Sequence, residues 1–185
     1  VLRETGVAVP FVLMVGSIAP YKNQLGLARA LTGAGLPLVL IGAAPREQQA
    51  YLRQLLDLPH VSWLGALDHA DPLLASAYHA AAVAALPSQG EVFPLSVLEA
   101  LAAGTPVVMT AQSALDLPDS AFALRKVAWD DGPAQRQAIL DLLALPPERA
   151  RVQALVERFT WERVAAQIAE CYYQLQSLPA RRQHA

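Results

Sequence analysis

The chain has 185 residues, of which 54% are hydrophobic and 16% charged, a composition typical of a well-packed globular domain rather than a disordered segment. Its formal net charge of −2 excludes the strongly basic surface expected for a nucleic-acid partner or a polybasic membrane patch. The single cysteine, Cys171, rules out an internal disulfide, and no apolar run approaches the roughly 18 residues of a membrane span.

Five short apolar runs bounded by Gly, Pro or polar residues predict strands at residues 10–16, 37–42, 60–65, 81–87 and 105–110, and AFALRKV at residues 121–127 predicts a sixth strand. Continuous apolar runs of this length are typical of strands buried on both faces, and hence of a parallel sheet. Amphipathic stretches between the runs predict helices at residues 23–31, 46–56, 72–79 and 95–103. This alternation predicts an α/β fold with a doubly wound, Rossmann-like parallel sheet.

After Asp130 the pattern predicts helices only, at residues 135–143, 147–159 and 161–175. Thr160 is a suitable N-cap for the last of these helices. Its apolar residues recur at helical spacing on one stripe, formed by Trp161, Val164, Ile168, Cys171, Tyr172 and Leu175. Cys171 is therefore expected to pack in the core rather than to react. We expect residues 1–185 to form a single domain with a helical C-terminal segment.

Two predicted loops lie at the carboxyl edge of the sheet, where ligands bind in open parallel sheets. The first, residues 16–23, contains Lys22, which stands out because the chain has 12 arginines and only 2 lysines. A lysine at the start of a helix is poorly matched to the positive end of the helix dipole unless an anion such as phosphate is bound there. The alternative is an ordinary solvated surface lysine.

The second loop, residues 87–95, leads into a predicted helix and contains Glu91, eight positions before Glu99. A fully helical segment would separate the two by about 12 Å, whereas glycosidase carboxyl pairs lie about 5–9.5 Å apart, which disfavours a two-carboxylate hydrolase. Glu99 lies among apolar neighbours, and a buried acid needs a partner, which ribose hydroxyls would supply. An exposed helix acid is the alternative.

Other site patterns give no support for further chemistry. Gly33 and Gly35 are explained by the end of a helix, and no dinucleotide-binding fingerprint follows the first strand. The four histidines have no metal-ligand spacing with acids or the cysteine, and there is no Asp-x-Asp pair. No Gly-x-Ser-x-Gly elbow is present, so a serine hydrolase is unsupported.

Residues 87–108, PSQGEVFPLSVLEALAAGTPVV, resemble the signature of glycosyltransferase family 4 with its Glu-x7-Glu motif. Three further blocks resemble the same family in order: FVLMVGSIAPYKN (residues 11–23), HVSWLGALDHADPLLASAYHAAAVAALPS (60–88) and FTWERVAAQIAECYYQL (159–175). The resemblance covers about residues 10–175 and implies a GT-B enzyme, in which two Rossmann-like domains face each other across a cleft. The chain resembles the C-terminal, donor-binding half, without the N-terminal acceptor domain.

The resemblance also implies roles for individual residues. Lys22 would bind the diphosphate of a nucleotide-sugar donor, Glu91 would act as the catalytic residue beside the sugar hydroxyls, and Glu99 would hold the ribose. The remaining donor-binding residues would be Ser17, Gly90, Phe93 and Leu95, with backbone amides around the last two meeting the phosphates. The loop at residues 65–67 would border the base.

At the level of the whole enzyme, the resemblance implies transfer of a sugar with retained anomeric configuration, without metal or other cofactor. The expected partners are the nucleotide sugar and the missing N-terminal domain, with a membrane-associated acceptor as an open alternative. A bacterial polysaccharide pathway and a cytoplasmic location are expected, with attachment to the inner face of the membrane also left open. The isolated chain is expected to be inactive.

Four positions depart from the family pattern. Ser17 and Tyr21 stand where many members have arginine, and Val92 and Pro94 replace glycines, the proline also removing a backbone amide. Because charge stabilisation of a leaving group is a large catalytic contribution, these changes keep open a catalytically inactive nucleotide-binding or scaffold module of the same fold. A sugar-nucleotide epimerase of related fold is a third alternative.

Overall fold

The computed structural model describes residues 10–177 and has a six-stranded, wholly parallel sheet with the strand order β3-β2-β1-β4-β5-β6. The strands are β1 (Val12–Val15), β2 (Leu38–Ile41), β3 (Val61–Trp63), β4 (Val83–Leu86), β5 (Val107–Thr110) and β6 (Leu124–Val127). Each lies inside one of the six predicted strand segments. The prediction of a doubly wound parallel sheet is therefore confirmed.

Burial along the strands follows their position in the sheet. Every residue of β2, β4 and β5 is buried, because helices cover both faces of the central sheet. The edge strand β6 instead exposes Arg125 and Lys126, and charged side chains on an edge disfavour pairing with another chain.

Within residues 10–177, seven helices connect or follow the strands: α1 (Gln24–Ala30), α2 (Gln49–Leu56), α3 (Pro72–Ala80), α4 (Leu95–Ala102), α5 (Gly132–Ala144), α6 (Arg149–Ala154) and α7 (Trp161–Ser177). Short 3-10 turns precede α1 at Pro20–Lys22 and α2 at Arg46–Gln48. Helices α3 and α5 begin as their sequences suggest, since Asp71 and Asp131 accept hydrogen bonds from the first-turn amides of Leu73 and Ala134. Helix α6 is shorter than the predicted helix at 147–159.

The strand order reverses between β1 and β4, which pair with each other in the middle of the sheet. Chain segments leaving these two strands diverge to opposite sides, which opens a crevice at their carboxyl ends. The segment that follows β2 passes close to the segment that follows β1. A Cβ atom at Gly42 would lie 2.0 Å from the Gly16 carbonyl oxygen, so only glycine fits there.

Helix α7 forms as predicted but does not pack as predicted. Thr160 Oγ1 accepts from the Arg163 backbone amide at 3.3 Å, which is the expected N-cap bond. Trp161 is 74% exposed and Ile168 50%, and Cys171 is exposed as well, so the expectation that Cys171 packs in the core is wrong. The hydrophobic core ends with residues of α6 and the turn after it, and α7 extends beyond that core. None of the described helices is long and apolar enough to cross a membrane.

Candidate functional site

The loops that follow β1 and β4 contact each other at the carboxyl edge of the sheet. The backbone amide of Gln89 donates to the carbonyl of Tyr21 at 2.9 Å, which joins the second loop to the first. The first loop is also fixed by the fully buried Gln24, whose Nε2 donates to the Ser17 carbonyl at 2.8 Å. The topological switch point therefore has two loops joined by a backbone hydrogen bond, the first of them also fixed by a buried side chain.

Lys22 and Glu91, one from each loop, form an ion pair in this crevice. The Nζ and Oε1 atoms are 2.6 Å apart, and the side chains are only 16% and 13% exposed. The lysine stem passes over Gly16, and its ammonium lies 5.2 Å from the centre of the Tyr21 ring. Thus Tyr21, where many family members have arginine, contributes an aromatic face rather than a second cation.

The backbone of Glu91 is held by the loop after β5. Its amide donates to the Gln112 carbonyl at 2.8 Å, and its carbonyl accepts from the Ala114 amide at 3.1 Å. Gly90, immediately before it, is exposed. These two hydrogen bonds fix the backbone from which the Glu91 side chain extends, although the rest of the loop is open. A group that must meet a ligand at a defined position requires a fixed backbone.

The start of α4 leaves backbone donors free next to this pair. Pro94 is the N-cap residue and supplies no side-chain bond, and the first turn has no acidic residue. Among the described residues, none accepts a hydrogen bond from the amides of Phe93, Leu95 or Ser96. Free amides at the positive end of a helix dipole favour an anion. Phe93 and Leu95 are about half exposed, and the Phe93 ring packs edge-on against Phe159 with centroids 5.7 Å apart.

Glu99 differs from its predicted environment, because it is exposed although its neighbours in α4 are buried. The expectation of a buried acid is wrong, since residue 99 lies on the outward side of α4 towards α3. It has a protein partner nonetheless: the Tyr78 hydroxyl donates to Oε2 at 2.6 Å. Burial, and then the Glu99 carboxylate, raise the pKa of Tyr78, so this phenol keeps its proton and remains the donor.

Tyr78 is a site residue that the sequence reasoning missed, although it lies within one of the four blocks that resemble the family. Its signal was a tyrosine among alanines and other small residues of a predicted helix, because a tyrosine that becomes buried needs a partner for its hydroxyl. A second missed residue is Ser88, directly after β4, whose buried hydroxyl has no hydrogen-bond partner in the described part of the chain.

Two cavities lie near the predicted residues without including Lys22 or Glu91. One, of about 430 Å³, lies between α3 and α4 and is lined by Tyr78, Glu99 and Trp161, among others. The other, of about 590 Å³, lies between α1 and α5 beside Asn23 and Trp129. The structure therefore joins Lys22 to Glu91 directly, whereas Glu99 belongs to a neighbouring cavity. The described residues contain no group of three or more His, Cys, Asp or Glu side chains that could hold a metal ion.

Comparison with known proteins supports this description of the fold. A curated relative, the D-inositol 3-phosphate glycosyltransferase of Xylanimonas cellulosilytica, is 35% identical over 183 residues, which is 89% of this chain and 42% of that protein. The sucrose-phosphate synthase from Thermosynechococcus elongatus has a TM-score of 0.77 at 28% identity, covering 95% of this chain and 48% of that one. Anabaena HepE, solved in complex with UDP-glucose, has a TM-score of 0.71 at 23% identity and shares the fold, with 95% and 51% coverage.

The expected Rossmann-like fold of a GT-B domain is confirmed by these likenesses. The chain spans only 26–42% of the length of the curated relatives that it matches. The family described as glycosyl transferases group 1 matches residues 9–144, well over half of the chain, and this protein belongs to that family.

Proposed function

We propose that this chain is the donor-binding domain of a retaining glycosyltransferase of family 4, which holds a nucleoside-diphosphate sugar during transfer to an acceptor. The observation that carries the proposal is the 2.6 Å pair of Lys22 and Glu91 at the topological switch point, beside the free amides at the start of α4. A cation, an acid and a helix N-terminus at one crevice match the two charges of a sugar diphosphate that is being cleaved.

The diphosphate is assigned to Lys22 and the amides of Phe93, Leu95 and Ser96. Breaking the bond between sugar and diphosphate leaves negative charge on the leaving group, and an ammonium with fixed amides stabilises it without reorganisation. We expect no metal, because these groups supply the positive charge that a divalent ion would otherwise supply. Ser17 and Gly90 are the remaining residues of the donor-binding set. We assign to them the backbone and small side chains that surround the phosphates.

The sugar is assigned to Glu91. Without ligand, the carboxylate neutralises Lys22, and a bound diphosphate would take over the ammonium. Glu91 is then free to accept hydrogen bonds from sugar hydroxyls and to stabilise the positive charge that develops at the reacting carbon. Because its backbone is bonded on both sides to the loop after β5, the carboxylate can stay in position when its partner changes.

The ribose is assigned to Glu99. Tyr78 occupies Oε2, while Oε1 accepts no hydrogen bond from the described residues and can receive a ribose hydroxyl. The complex of HepE with UDP-glucose supports a nucleotide sugar as the ligand class for this fold. The base, the sugar and the role of residues 65–67 stay predictions.

The acceptor side is assigned to another part of a longer protein. The curated relatives are more than twice as long as this chain, which supports a second domain that closes over the donor. Residues 1–185 would then form one donor domain, inactive alone because the acceptor is bound elsewhere. A bacterial polysaccharide pathway, a cytoplasmic location and a membrane-associated acceptor stay predictions.

Calorimetry with UDP, GDP and ADP on the Lys22→Ala variant tests the proposal. We expect at least one nucleotide to bind the unchanged chain, and the variant to lose about 10- to 100-fold in affinity, since a hydrogen bond to a charged group contributes about 1.5–3 kcal/mol. The control is Lys126→Ala, which removes the other lysine, bonded to the Leu115 carbonyl on the far edge of the sheet. Equal nucleotide affinity in the Lys22→Ala variant, with an intact fold, would contradict the proposal.

A scaffold or inactive nucleotide-binding module is the second candidate. The observation in its favour is that Lys22 is already neutralised by Glu91 while Tyr21 replaces a second cation. A thermal-shift screen tests the scaffold, because stabilisation by none of the three nucleotides supports it. An inactive nucleotide-binding module would still be stabilised, and turnover by the longer protein distinguishes it from the transferase. A sugar-nucleotide epimerase of related fold would also bind a nucleoside diphosphate, so only turnover by the longer protein distinguishes it from the transferase.

A further inference from the structure

We propose that Asn23 is a positioning residue that holds Lys22 in the crevice, by anchoring the turn that carries the lysine to the corner between β6 and α5. This inference rests on the proposed function for its catalytic meaning, but the anchoring itself can be measured without any ligand.

Asn23 is the joint between the 3-10 turn Pro20–Lys22 and α1. Its amide donates to the Pro20 carbonyl at 2.9 Å and closes the turn, and its carbonyl accepts from Leu27 at 3.1 Å and begins the helix. The backbone at Asn23 is left-handed, with φ 59° and ψ 31°, a conformation that most residues other than glycine avoid but that asparagine adopts more readily than they do. The residue type therefore suits the turn, and the contacts of its side chain fix where the turn lies.

The side-chain amide of Asn23 anchors the turn through a hydrogen bond. Asn23 Nδ2 donates to the Trp129 carbonyl at 2.5 Å, a contact across 106 positions of the chain. The same carbonyl accepts from Gln135 Nε2 at 2.7 Å, and that amide also donates to the Ala128 carbonyl at 3.1 Å. Because Gln135 is 98% buried in α5, the acceptor that Asn23 uses is itself fixed.

Gly26 leaves room for this contact. A Cβ atom at position 26 would lie 2.2 Å from Asn23 Oδ1 and 2.9 Å from Nδ2, so any larger residue would displace the amide. A left-handed backbone, a fixed acceptor and a space kept clear by glycine are three separate features that converge on one side chain. The adjacent residue along the chain is the cation of the site, and its ammonium is directed to Glu91.

Removing the amide should therefore loosen Lys22 and leave the base and ribose contacts alone. The primary variant is Asn23→Gly, which permits the left-handed backbone and deletes the side-chain hydrogen bond, at the cost of a more flexible turn. The second variant is Gly26→Ala, which keeps the amide but displaces it. If one variant fails to fold, the other still tests the proposal.

The first measurement needs no ligand. The chain has two lysines, so a lysine-selective ¹H–¹⁵N spectrum has two ammonium signals, and Lys126→Arg assigns them. We expect the Lys22 signal of both variants to move towards its position in Glu91→Gln, where the carboxylate is gone, while the Lys126 signal stays unchanged. An unshifted Lys22 signal in a folded Asn23→Gly chain overturns the proposal.

The second measurement separates the anchoring from the proposed function. For the nucleotide that binds the unchanged chain best, we expect Asn23→Gly to lower the affinity for the diphosphate about tenfold, as for one lost polar contact. The affinity for the corresponding nucleoside should change less than twofold, which a general loss of structure would not produce. If Lys22→Ala abolishes binding but Asn23→Gly does not alter it, the function stands and the positioning role fails. If no nucleotide binds at all, the function fails and the spectra alone decide the anchoring.

Discussion

The two glutamates of the Glu-x7-Glu motif are held in opposite ways. Glu91 lies in a loop, is largely buried, and faces a cation that comes from 69 positions away in the chain. Glu99 lies in a helix, is exposed, and faces the neutral hydroxyl of Tyr78 on the neighbouring helix. The first acid thus has a charged partner that a ligand can replace, whereas the second has a polar partner that leaves one of its oxygens free.

This difference indicates that the two glutamates have different functions. A partly buried carboxylate interacts strongly with any charge that develops nearby, because little water screens it. An exposed carboxylate is screened and contributes mainly through the geometry of its hydrogen bonds. We therefore expect Glu91 to affect the chemical step and Glu99 to affect recognition of the donor, and the following experiments test that contrast.

The largest expected effect is on turnover, measured with the longer protein that the proposed function requires, when Glu91 is replaced by Gln. An amide keeps the shape but cannot balance positive charge on the sugar, and removing one electrostatic contact in a transition state lowers kcat by about 10²–10³-fold. The measurement is steady-state transfer with donor varied, and Glu99→Gln is the matched control, expected to raise the donor KM with a smaller change in kcat. A kcat within about threefold of the unchanged enzyme would remove Glu91 from the chemistry.

The next effect concerns discrimination of the ribose. We expect Glu99→Ala to lower nucleoside-diphosphate affinity about tenfold, in line with the loss of one hydrogen bond to a charged group. It should also remove the preference for the ribonucleotide over its 2′,3′-dideoxy analogue. Calorimetry with both ligands measures this, and the Glu91→Gln chain should keep the preference. If Glu99→Ala still distinguishes the two ligands, the ribose is bound elsewhere.

A smaller effect is expected on stability from Tyr78→Phe. The change removes the hydroxyl that orients Glu99, and one such hydrogen bond contributes about 1 kcal/mol to the free energy of unfolding. Glu99→Ala should be more destabilising, because it leaves the buried hydroxyl of Tyr78 without a partner. Urea unfolding of the single and double variants gives the coupling. Strictly additive changes would show that the 2.6 Å contact contributes nothing to stability.

The smallest effect is a dependence of that stability on pH. Because the pKa of Tyr78 is raised in the folded state, the unfolded chain loses this proton first, near the ordinary tyrosine value of about 10. The contribution of protonated Tyr78 to the free energy of unfolding is complete below about pH 10 and declines as the pH rises further. The difference in this free energy between the unchanged chain and Tyr78→Phe should therefore narrow above about pH 10. Urea unfolding at pH 8 and 10.5 measures it, with the exposed Tyr173→Phe as control. A constant difference at both values would contradict the assignment.

The fold was accessible from sequence because each buried strand is a short apolar run between breakers, and all six predicted segments contain a strand. Contacts between residues that are distant in the chain were harder to predict from the sequence. The Lys22–Glu91 contact follows once the topology brings the carboxyl ends of β1 and β4 together, and the resemblance had already drawn attention to both residues. Their functional roles stay predictions.

Other features depend on which surface a side chain meets, and periodicity does not contain that information. The stripe on α7 has the spacing of a core-facing helix, yet its residues from Trp161 to Tyr172 are exposed, because helical spacing marks an apolar face but not what covers it. Glu99 was expected to be buried from its neighbours alone, although successive helix positions point in different directions. Tyr78 and Asn23 became visible only through partners 21 and 106 positions away.

The exposed α7 has a practical consequence for handling the protein. Several large apolar side chains on one uncovered helix favour self-association as the concentration rises, by the same effect that would otherwise bury them. The core closes with Val152 and Val156, before that helix begins, so a shortened chain ending at Thr160 should melt at nearly the same temperature and stay monomeric at millimolar concentration. Such a truncation would be the better sample for the lysine spectra, whereas the nucleotide titrations need Trp161, which lines the cavity beside Glu99.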